Sequence, residues 1–321
     1  MMTVKKRIVN IPAAYAGKRL DQALAALCTD LSRSRIQQWI EAGHVRLDAT
    51  QPGRADKVKG GETVELYIPD TPERPWQAQA IALNVVYEDE HLLVVDKPAG
   101  MVAHPAPGNR EGTLLNALLH HDAALHAVAR AGIVHRLDKD TSGLLVVAKS
   151  ETVRLRLVAS LRDRRLTREY LALVNGVMIA GGEIAAPIGR HPRQRTRMAV
   201  AARGKEALSH YRVQQRFRAH TLVRVQLESG RTHQIRVHLS HIGFPIVGDP
   251  VYGGRARIPP DCSEHLAQVL RRFRRQALHA VRLALTHPVS GERMQWTAPL
   301  PKDMRELITA LQDDARERKQ S

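Results

Sequence analysis

The chain has 321 residues, of which 43% are hydrophobic, a length that favours two domains over one. Its 49 Lys and Arg exceed its 32 Asp and Glu, which leaves a net charge of +17 and a pI near 10.5, in the range of nucleic-acid-binding domains. Two distant cysteines, Cys28 and Cys262, exclude a disulfide framework, and no apolar run approaches the roughly 18 residues of a membrane span. The composition predicts a protein of the reducing cytoplasm with a polyanionic partner and no membrane.

The first seventy residues contain two predicted helices and two short strands. Apolar residues recur at i, i+4 and i+7 within residues 18–28, which predicts an amphipathic helix. A second helix is predicted with Ser32 as its N-cap and Gly43 at its C-terminal end. Short strands are predicted at 44–47 and 63–68. These elements define a compact module over residues 1–70.

Basic residues of this module lie at or near the starts of the two helices, where backbone N–H groups favour anions. They are Lys18, Arg19, Arg33 and Arg35. The segments KRLDQALA, SRSRIQQWIEAGHVRLD and KGGETVEL resemble an S4 domain, a small RNA-binding module, with its core at about 17–68. The resemblance implies that these basic residues contact an RNA backbone.

A linker is predicted at residues 71–80, because the prolines around it cannot continue a helix or a central strand. The second domain, 81–310, lacks the regular strand-helix rhythm of a doubly wound sheet, so an α+β fold with a mixed, largely antiparallel sheet is expected. Strands are predicted at 92–95, 144–148, 170–174 and 222–227. The charged tail, 311–321, is expected to be a frayed helix end.

The most informative stretch is 133–149, which reads IVHRLDKDTSGLLVVAK. Its apolar run predicts a buried strand, and Gly143 marks where the preceding polar loop turns into that strand. Rigid scaffolds commonly present catalytic groups on such loops. By composition alone, the loop fits equally well a polar turn in which Asp138 or Asp140 caps backbone N–H groups.

The segment HRLDKDTSGLLVVAK resembles the catalytic motif of the RluA/RluD family of pseudouridine synthases. VVDKPAGMVAHP, REYLALVNG and ESGRTHQIRVHLSHIGFPIVGDPVYGG look like the other motifs of that family, in the same order. With the S4-like module, the resemblance covers about residues 18–301. It implies a cleft-bearing mixed sheet that isomerises uridine to pseudouridine in RNA without a cofactor.

The resemblance also implies roles for individual residues. Asp138 would be the catalytic carboxylate, acting as nucleophile at the sugar or as base at its 2′ position. A carboxylate in an apolar pocket needs a cation to stay ionised, and Arg231 is the expected partner, placed before a helix with Thr232 as its N-cap. Tyr170 is expected to stack on the target uracil, which contributes about 1–3 kcal/mol.

Two further residues are expected to bind substrate. Arg136 lies two residues before Asp138, on the same side of an extended backbone, and by resemblance holds the RNA from which the target base has been extruded. Its alternative is an ion pair with Asp140 or Glu151. Ile235 would border the uracil, although its spacing also fits the core side of a helix.

Three basic clusters follow the polar loop at residues 135–142, the catalytic loop, in the sequence. The segment 189–198 predicts an exposed loop that contacts RNA phosphates through Arg190, Arg193, Arg195 and Arg197. The clusters at 162–168 and 271–275 are more typical of solvated surface. Three histidines in one predicted helix, His233, His238 and His241, lack the spacing of a metal site, and P-loop and GxGxxG motifs are absent, so neither a metal nor a nucleotide cofactor is expected.

The leading hypothesis is a monomeric pseudouridine synthase acting on a stem-loop of large-subunit (23S) ribosomal RNA. The same chemistry on another rRNA site or on tRNA is one alternative, and a non-catalytic RNA-binding ribosome-assembly factor is another. A hydrolase of glycosidic bonds would need a second acid across the bond, and no such pair stands out. The sequence does not specify the target uridine, because target choice depends on RNA shape.

Overall fold

The computed structural model describes residues 4–28, 31, 33–53, 55–69, 76–105, 108–194 and 197–320. The chain forms two compact units, Met1–Pro75 and Trp76–Ser321. Residues 71–75 of the predicted linker, and Ser32, lie outside the described residues. Within the described ranges, no helix has the length and apolar character needed to cross a bilayer.

The N-terminal unit is a three-stranded antiparallel sheet with two helices. Its elements are β1 (Val4–Asn10), α1 (Leu20–Leu27), α2 (Arg33–Glu41), β2 (Val45–Leu47) and β3 (Thr63–Pro69). The strand order is β1-β3-β2, and β1 was not expected from the sequence. The apolar sides of both helices and of β3 form one buried core. Gly43 adopts a left-handed φ of 76° after α2, as expected of a residue that ends a helix.

The second unit alternates strands and helices around one large sheet. Its elements are β4 (Val85–Glu88), β5 (Leu92–Lys97), α3 (Leu114–His121), β6 (Ser142–Ala148), α4 (Glu151–Arg162), β7 (Thr167–Asn175), β8 (Gly182–Ala185), β9 (Ile188–Arg190), β10 (Met198–Val200), β11 (Leu208–Arg216), β12 (His220–Leu227), α5 (Gln234–His241), α6 (Glu264–Arg272), β13 (Leu278–Thr286), β14 (Arg293–Thr297) and α7 (Lys302–Gln320).

Among the described residues, nine strands pair in the order β4-β5-β6-β13-β7-β12-β11-β8, with β14 paired to β13. The β6–β13 pair is parallel, and the other pairs described in this sheet are antiparallel. The two-stranded β9–β10 hairpin stands apart from this sheet. The predicted α+β fold with a mixed, largely antiparallel sheet is therefore confirmed.

Strand β6 is buried along its whole length because both faces of the sheet are covered there. Along β6, Leu145 and Val147 pack into one hydrophobic core, whereas Leu144 and Val146 pack into another. This alternation follows from the period of two along a strand. Burial of each such side chain stabilises the fold by about 1.5–3 kcal/mol, so the sheet is a rigid base for the loop that precedes β6.

The C-terminal segment is more ordered than the sequence indicates. Helix α7 continues without interruption past Gln312 to Gln320. Asp314 is buried, and its carboxylate accepts a hydrogen bond from the backbone N–H of Ser263 at 2.8 Å. A frayed helix end was expected after Gln312; in the structure this stretch is helical up to Gln320, and Asp314 anchors it to Ser263.

Candidate active site

A cavity of about 1390 Å³ opens in the second unit. The catalytic loop, the start of β7, the end of β12 and the start of α5 contribute to its wall. The wall includes the five residues predicted for catalysis and substrate binding, namely Arg136, Asp138, Tyr170, Arg231 and Ile235. Residues that are distant in the sequence therefore meet at one site.

The end of the catalytic loop is fixed by Gly143. Its φ is 114°, and a Cβ atom added there would collide with the backbone of Ala280, the residue that it faces in the parallel β6–β13 pair. Only glycine allows this close approach of two backbones. The loop therefore enters the core of the sheet directly after the polar residues that it presents.

Lys97 also holds the catalytic loop in place. Its ammonium group is buried and donates hydrogen bonds to the carbonyl oxygens of Pro98, Met101 and Lys139 at 2.8, 2.9 and 3.0 Å. Burial lowers the pKa of Lys97 to about 7. Because Lys139 follows Asp138 directly, this set of bonds positions the backbone beside the predicted catalytic carboxylate.

The cationic partner of Asp138 is Arg236. Its Nη1 donates to Asp138 Oδ2 at 2.9 Å, while its Nε and Nη2 donate to the two oxygens of Asp249 at 2.7 and 2.9 Å. Arg236 and Asp249 are almost fully buried. Although burial alone would lower the pKa of Arg236 and raise that of Asp249, their mutual hydrogen bonds and charges shift both in the opposite direction. The guanidinium therefore stays charged and links two carboxylates.

The predicted pairing of Arg231 with Asp138 is wrong. Arg231 lines the cavity, but its side chain is exposed and its Nε donates to the carbonyl oxygen of Glu206 at 3.0 Å. Both arginines belong to the same GRTHQIR segment, and the start of α5 decides which of them faces inward. A signal that would have indicated Arg236 is its helical spacing with the apolar Leu239, which places an arginine on a buried face.

The start of α5 differs from the prediction. His233, not Thr232, is the N-cap, and it has a left-handed φ of 57°. Such a conformation is uncommon for a residue other than glycine and is often found at functional sites. The His233 ring bonds to the Tyr252 hydroxyl through Nδ1 at 2.9 Å, and its Nε2 lies 3.9 Å from Asp138 Oδ2. Burial lowers the pKa of His233, which favours a neutral ring near pH 7.

The remaining predicted residues also face the cavity. Tyr170 lies on β7 with 5% of its surface exposed, and burial raises its pKa, so the hydroxyl stays protonated. Ile235 lines the cavity and also packs in the core, so both of its proposed roles are compatible with its position. Arg136 is exposed at the cavity wall, and Glu151, one of its alternative partners, pairs with Arg154 at 2.6 Å.

The arginine-rich segment forms the β9–β10 hairpin. Arg190 ends β9 and is exposed, Arg193 is exposed in the turn, and Arg195 lies outside the described residues. Arg197 is half-buried, with its guanidinium 5.2 Å from the ring centre of Tyr252. Arg236 lies 5.1 Å from the centre of the same ring, whose hydroxyl also accepts a hydrogen bond from the Met198 N–H.

In the N-terminal unit, two of the predicted RNA-binding residues contact the same buried carboxylate. Arg19 and Arg33 both donate to Asp21, at 3.1 and 3.0 Å, and Gln37 also donates to it. Although burial alone would raise it, these hydrogen bonds lower the pKa of Asp21 to about 2. Lys18 is exposed, with its Nζ 4.6 Å from the ring centre of Tyr15. The side chain of Arg35, on α2, lies outside the described part of the structure.

Comparisons with known proteins agree with this architecture and site. Residues 91–241 match the model of the RNA pseudouridylate synthase family, and residues 18–64 match that of the S4 domain. Human RNA Pseudouridylate Synthase Domain Containing 4 is similar in structure, with a TM-score of 0.56 and 25% identity over 71% of this chain and 93% of that chain. The protein is therefore an RNA-modifying enzyme with a fused RNA-binding module.

Two relatives indicate which kind of RNA-modifying enzyme the chain resembles. The protein named ribosomal large subunit pseudouridine synthase D from Pseudomonas aeruginosa is 54% identical over 98% of both chains. The protein of the same name from Escherichia coli O6:H1 is 52% identical over 94% of this chain and 93% of its own length. The chain belongs to the RNA pseudouridine synthase family, and a non-catalytic RNA-binding role is not favoured.

Proposed function

We propose that this protein isomerises specific uridines to pseudouridine in a structured stem-loop of large-subunit ribosomal RNA. It acts as a monomer in the cytoplasm, on free 23S RNA or on a precursor of the large subunit. The observation that carries the target assignment is the 54% identity, over 98% of both chains, to a relative named for the large ribosomal subunit. The net charge of +17 and the match to an S4 domain are consistent with an RNA substrate.

The chemistry needs one carboxylate and no redox partner. The C1′–N1 bond of uridine breaks, the detached uracil turns, and C5 bonds to C1′ while C5 loses a proton and N1 gains one. Asp138 either attacks C1′ or removes the 2′ proton of the sugar. The ion pair with Arg236, at 2.9 Å, orients the carboxylate for either role.

The surrounding residues would hold the extruded nucleotide. A cavity of about 1390 Å³ can admit a flipped nucleotide together with its neighbours. Tyr170 provides an aromatic face for the uracil, and Ile235 provides an apolar wall. Arg136 is exposed beside Asp138 and can occupy or brace the position that the base leaves, which offsets the few kcal/mol that extrusion costs.

Capture of the RNA is assigned to basic residues outside the cavity. The proposed contacts are Lys18, Arg19, Arg33 and Arg35 of the S4 domain and Arg190, Arg193, Arg195 and Arg197 of the segment 189–198. Arg19 and Arg33 have a second role, because they hold the buried Asp21. Binding should weaken steeply with salt, with log affinity falling by roughly 0.7–0.9 per phosphate neutralised for each unit of log salt concentration.

Carbodiimide mapping of pseudouridine in ribosomal RNA tests the proposal. RNA from cells that lack the protein is compared with RNA from cells complemented by the wild type or by Asp138→Asn. Large-subunit sites that disappear and return only with the wild type would support both the target and the role of Asp138. An unchanged map of the large-subunit RNA would refute the target, and full restoration by Asp138→Asn would refute the role of the carboxylate.

In vitro, Asp138→Asn should abolish isomerisation and leave the RNA Kd within a few-fold of the wild-type value. A large loss of both would indicate that Asp138 holds the site together instead of performing the reaction. Substitution of Arg33 and Arg35 by Ala should reduce turnover at low RNA concentration more than at saturation. Equal turnover at low RNA concentration would contradict the assigned role of the S4 domain.

A further inference from the structure

Arg168 differs from the other arginines in its part of the sequence. The side chains of Arg162, Arg164 and Arg165 are 78%, 62% and 66% exposed, as expected of a solvated basic cluster. Arg168 is only 7% exposed, and it lines the catalytic cavity. It precedes Tyr170 by two positions on β7, so both side chains lie on the same face of the strand.

Within the described residues, the side chain of Arg168 forms neither a hydrogen bond nor an ion pair, and its buried Nε is unsatisfied. The adjacent carboxylate cannot compensate, because Glu169 is on the opposite face of β7, where it pairs with Arg224 and Arg282 at 2.9 and 2.6 Å. The loop after β12 leaves space for the guanidinium at Gly230, where an added Cβ would lie 2.8 Å from Arg168 Nη1.

An unpaired guanidinium at this buried position destabilises the protein when no RNA is bound. Burial of a charge without a partner costs several kcal/mol, so buried charges are normally paired or bind a ligand. The positive charge acts on the groups around it: together with the larger effect of burial, it holds the pKa of His135 at about 3. The cavity wall beside Tyr170 therefore carries a positive charge that the described residues do not neutralise.

We propose that Arg168 donates a hydrogen bond to a carbonyl oxygen of the target uracil and stabilises the negative charge that develops on that ring. The inference rests on the proposed roles of Asp138 and Tyr170 in pseudouridine formation. When the C1′–N1 bond breaks, its electron pair leaves with N1 and is delocalised onto O2 and O4 of the uracil. C1′ bonds to a carboxylate oxygen of Asp138, or the sugar transfers its 2′ proton to that carboxylate.

The position of Arg168 favours the base over an RNA phosphate as its ligand. Arg168 shares a strand face with the residue assigned to stack on the uracil, and it is buried. Phosphate contacts are assigned instead to arginines that are open to solvent, such as Arg190 and Arg193 of the β9–β10 hairpin. A buried donor beside a developing anion acts in a low local dielectric, where electrostatic stabilisation is strongest.

The test compares Arg168→Gln with the wild type under single-turnover conditions at saturating RNA. The substrates are one RNA from cells that lack the protein and a copy of it carrying 5-fluorouridine. The rate is measured for both substrates as loss of the starting nucleoside, by digestion and chromatography, because C5 of 5-fluorouridine has no proton to lose and its rearranged product is not pseudouridine. We expect Arg168→Gln to slow conversion of uridine by about 10²- to 10³-fold, as for loss of one oxyanion donor, while the RNA Kd changes little. Fluorine stabilises the uracil anion, so the defect should be several-fold smaller with 5-fluorouridine.

Two variants complete the design. Arg168→Lys keeps the charge but not the planar fork, and it should recover part of the rate. Arg162→Gln removes an exposed arginine of the same cavity, and it should leave the rates at saturating RNA near the wild-type values for both substrates. Thermal unfolding of Arg168→Gln should be unchanged or improved, because an unpaired buried charge is removed.

Three results would overturn the inference. Equal slowing on uridine and 5-fluorouridine, with a lower salt slope of binding, would make Arg168 a phosphate contact. A loss of activity that parallels a fall in Tm would make it structural. Wild-type rates in Arg168→Gln would remove it from the reaction, whereas a wild-type protein that converts no uridine would refute the proposed function as well.

Discussion

Replacement of Arg236 by Lys tests the corrected architecture of the active site. The guanidinium of Arg236 makes one hydrogen bond to Asp138 and two to Asp249, at 2.7–2.9 Å. A lysine ammonium keeps the charge but cannot reproduce this fork between two carboxylates. We expect the lysine ammonium to pair with the fully buried Asp249, because leaving that carboxylate without a cation would destabilise the protein most.

The magnitude follows from the bond lost at Asp138. A hydrogen bond to a charged group contributes about 1.5–3 kcal/mol, which corresponds to roughly 10- to 150-fold in rate if it is needed in the transition state. At saturating RNA, the single-turnover rate of Arg236→Lys should be lower than the wild-type rate by a factor in that range, with the RNA Kd nearly unchanged. Release of tritium from C5 of labelled uridine in the RNA measures this rate directly.

Arg231→Lys is the matched control, because it changes the other arginine of the same segment. Arg231 is exposed and donates to a backbone carbonyl, so its replacement should slow the reaction clearly less than Arg236→Lys does. If Arg236→Lys keeps its rate within threefold of the wild type, or if Arg231→Lys is the slower variant, the assignment of Arg236 as the partner needed by Asp138 is refuted.

Three further predictions concern stability. Asp21→Asn should destabilise the N-terminal unit by about 2 kcal/mol at neutral pH, because a pKa lowered to about 2 stabilises the folded state above pH 4. Unfolding measured against pH should show the difference from wild type shrinking as the pH falls towards 2, and a constant difference would contradict it. Lys97→Met should leave three carbonyl oxygens without their donor and lower both the Tm and the isomerisation rate, whereas an unchanged Tm would show that the loop is held by other contacts. Gly143→Ala should cost several kcal/mol in chemical denaturation because of the collision with Ala280, while Gly291→Ala, also at positive φ but with open space around it, should cost about 1 kcal/mol; similar losses would refute the packing argument.

The sequence was most informative where the cause of structure is local. The apolar run after Gly143 predicted a strand buried on both faces, and the polar residues before it are brought into one cavity. The β1 strand was missed because charged residues interrupt its apolar positions, so its stabilisation depends on pairing with the distant β3. The length of helix α7 was underestimated for the same reason, because Asp314 accepts a hydrogen bond from the distant Ser263.

The active-site errors also come from long-range contacts. Arg236 and Arg231 are equivalent as members of one motif, and the choice between them depends on where α5 begins and on Asp249, thirteen residues further along the chain. Arg168 belongs to a basic run in the sequence, yet the alternation of β7 turns it into the cavity and turns Glu169 away. Composition cannot distinguish a solvated arginine from a buried one when both lie in the same cluster.

The position of Tyr252 has a consequence for attempts to redirect the enzyme to a new RNA. Its ring lies near Arg197 of the β9–β10 hairpin and Arg236 of α5, and its hydroxyl joins Met198 to His233. A hairpin transplanted from another synthase would therefore affect the rest of the active site. The new hairpin would need a backbone N–H at the position of Met198 and a side chain that packs on Tyr252. Without them, the exchange of specificity would also disturb Arg236 and the two carboxylates that it binds, Asp138 and Asp249.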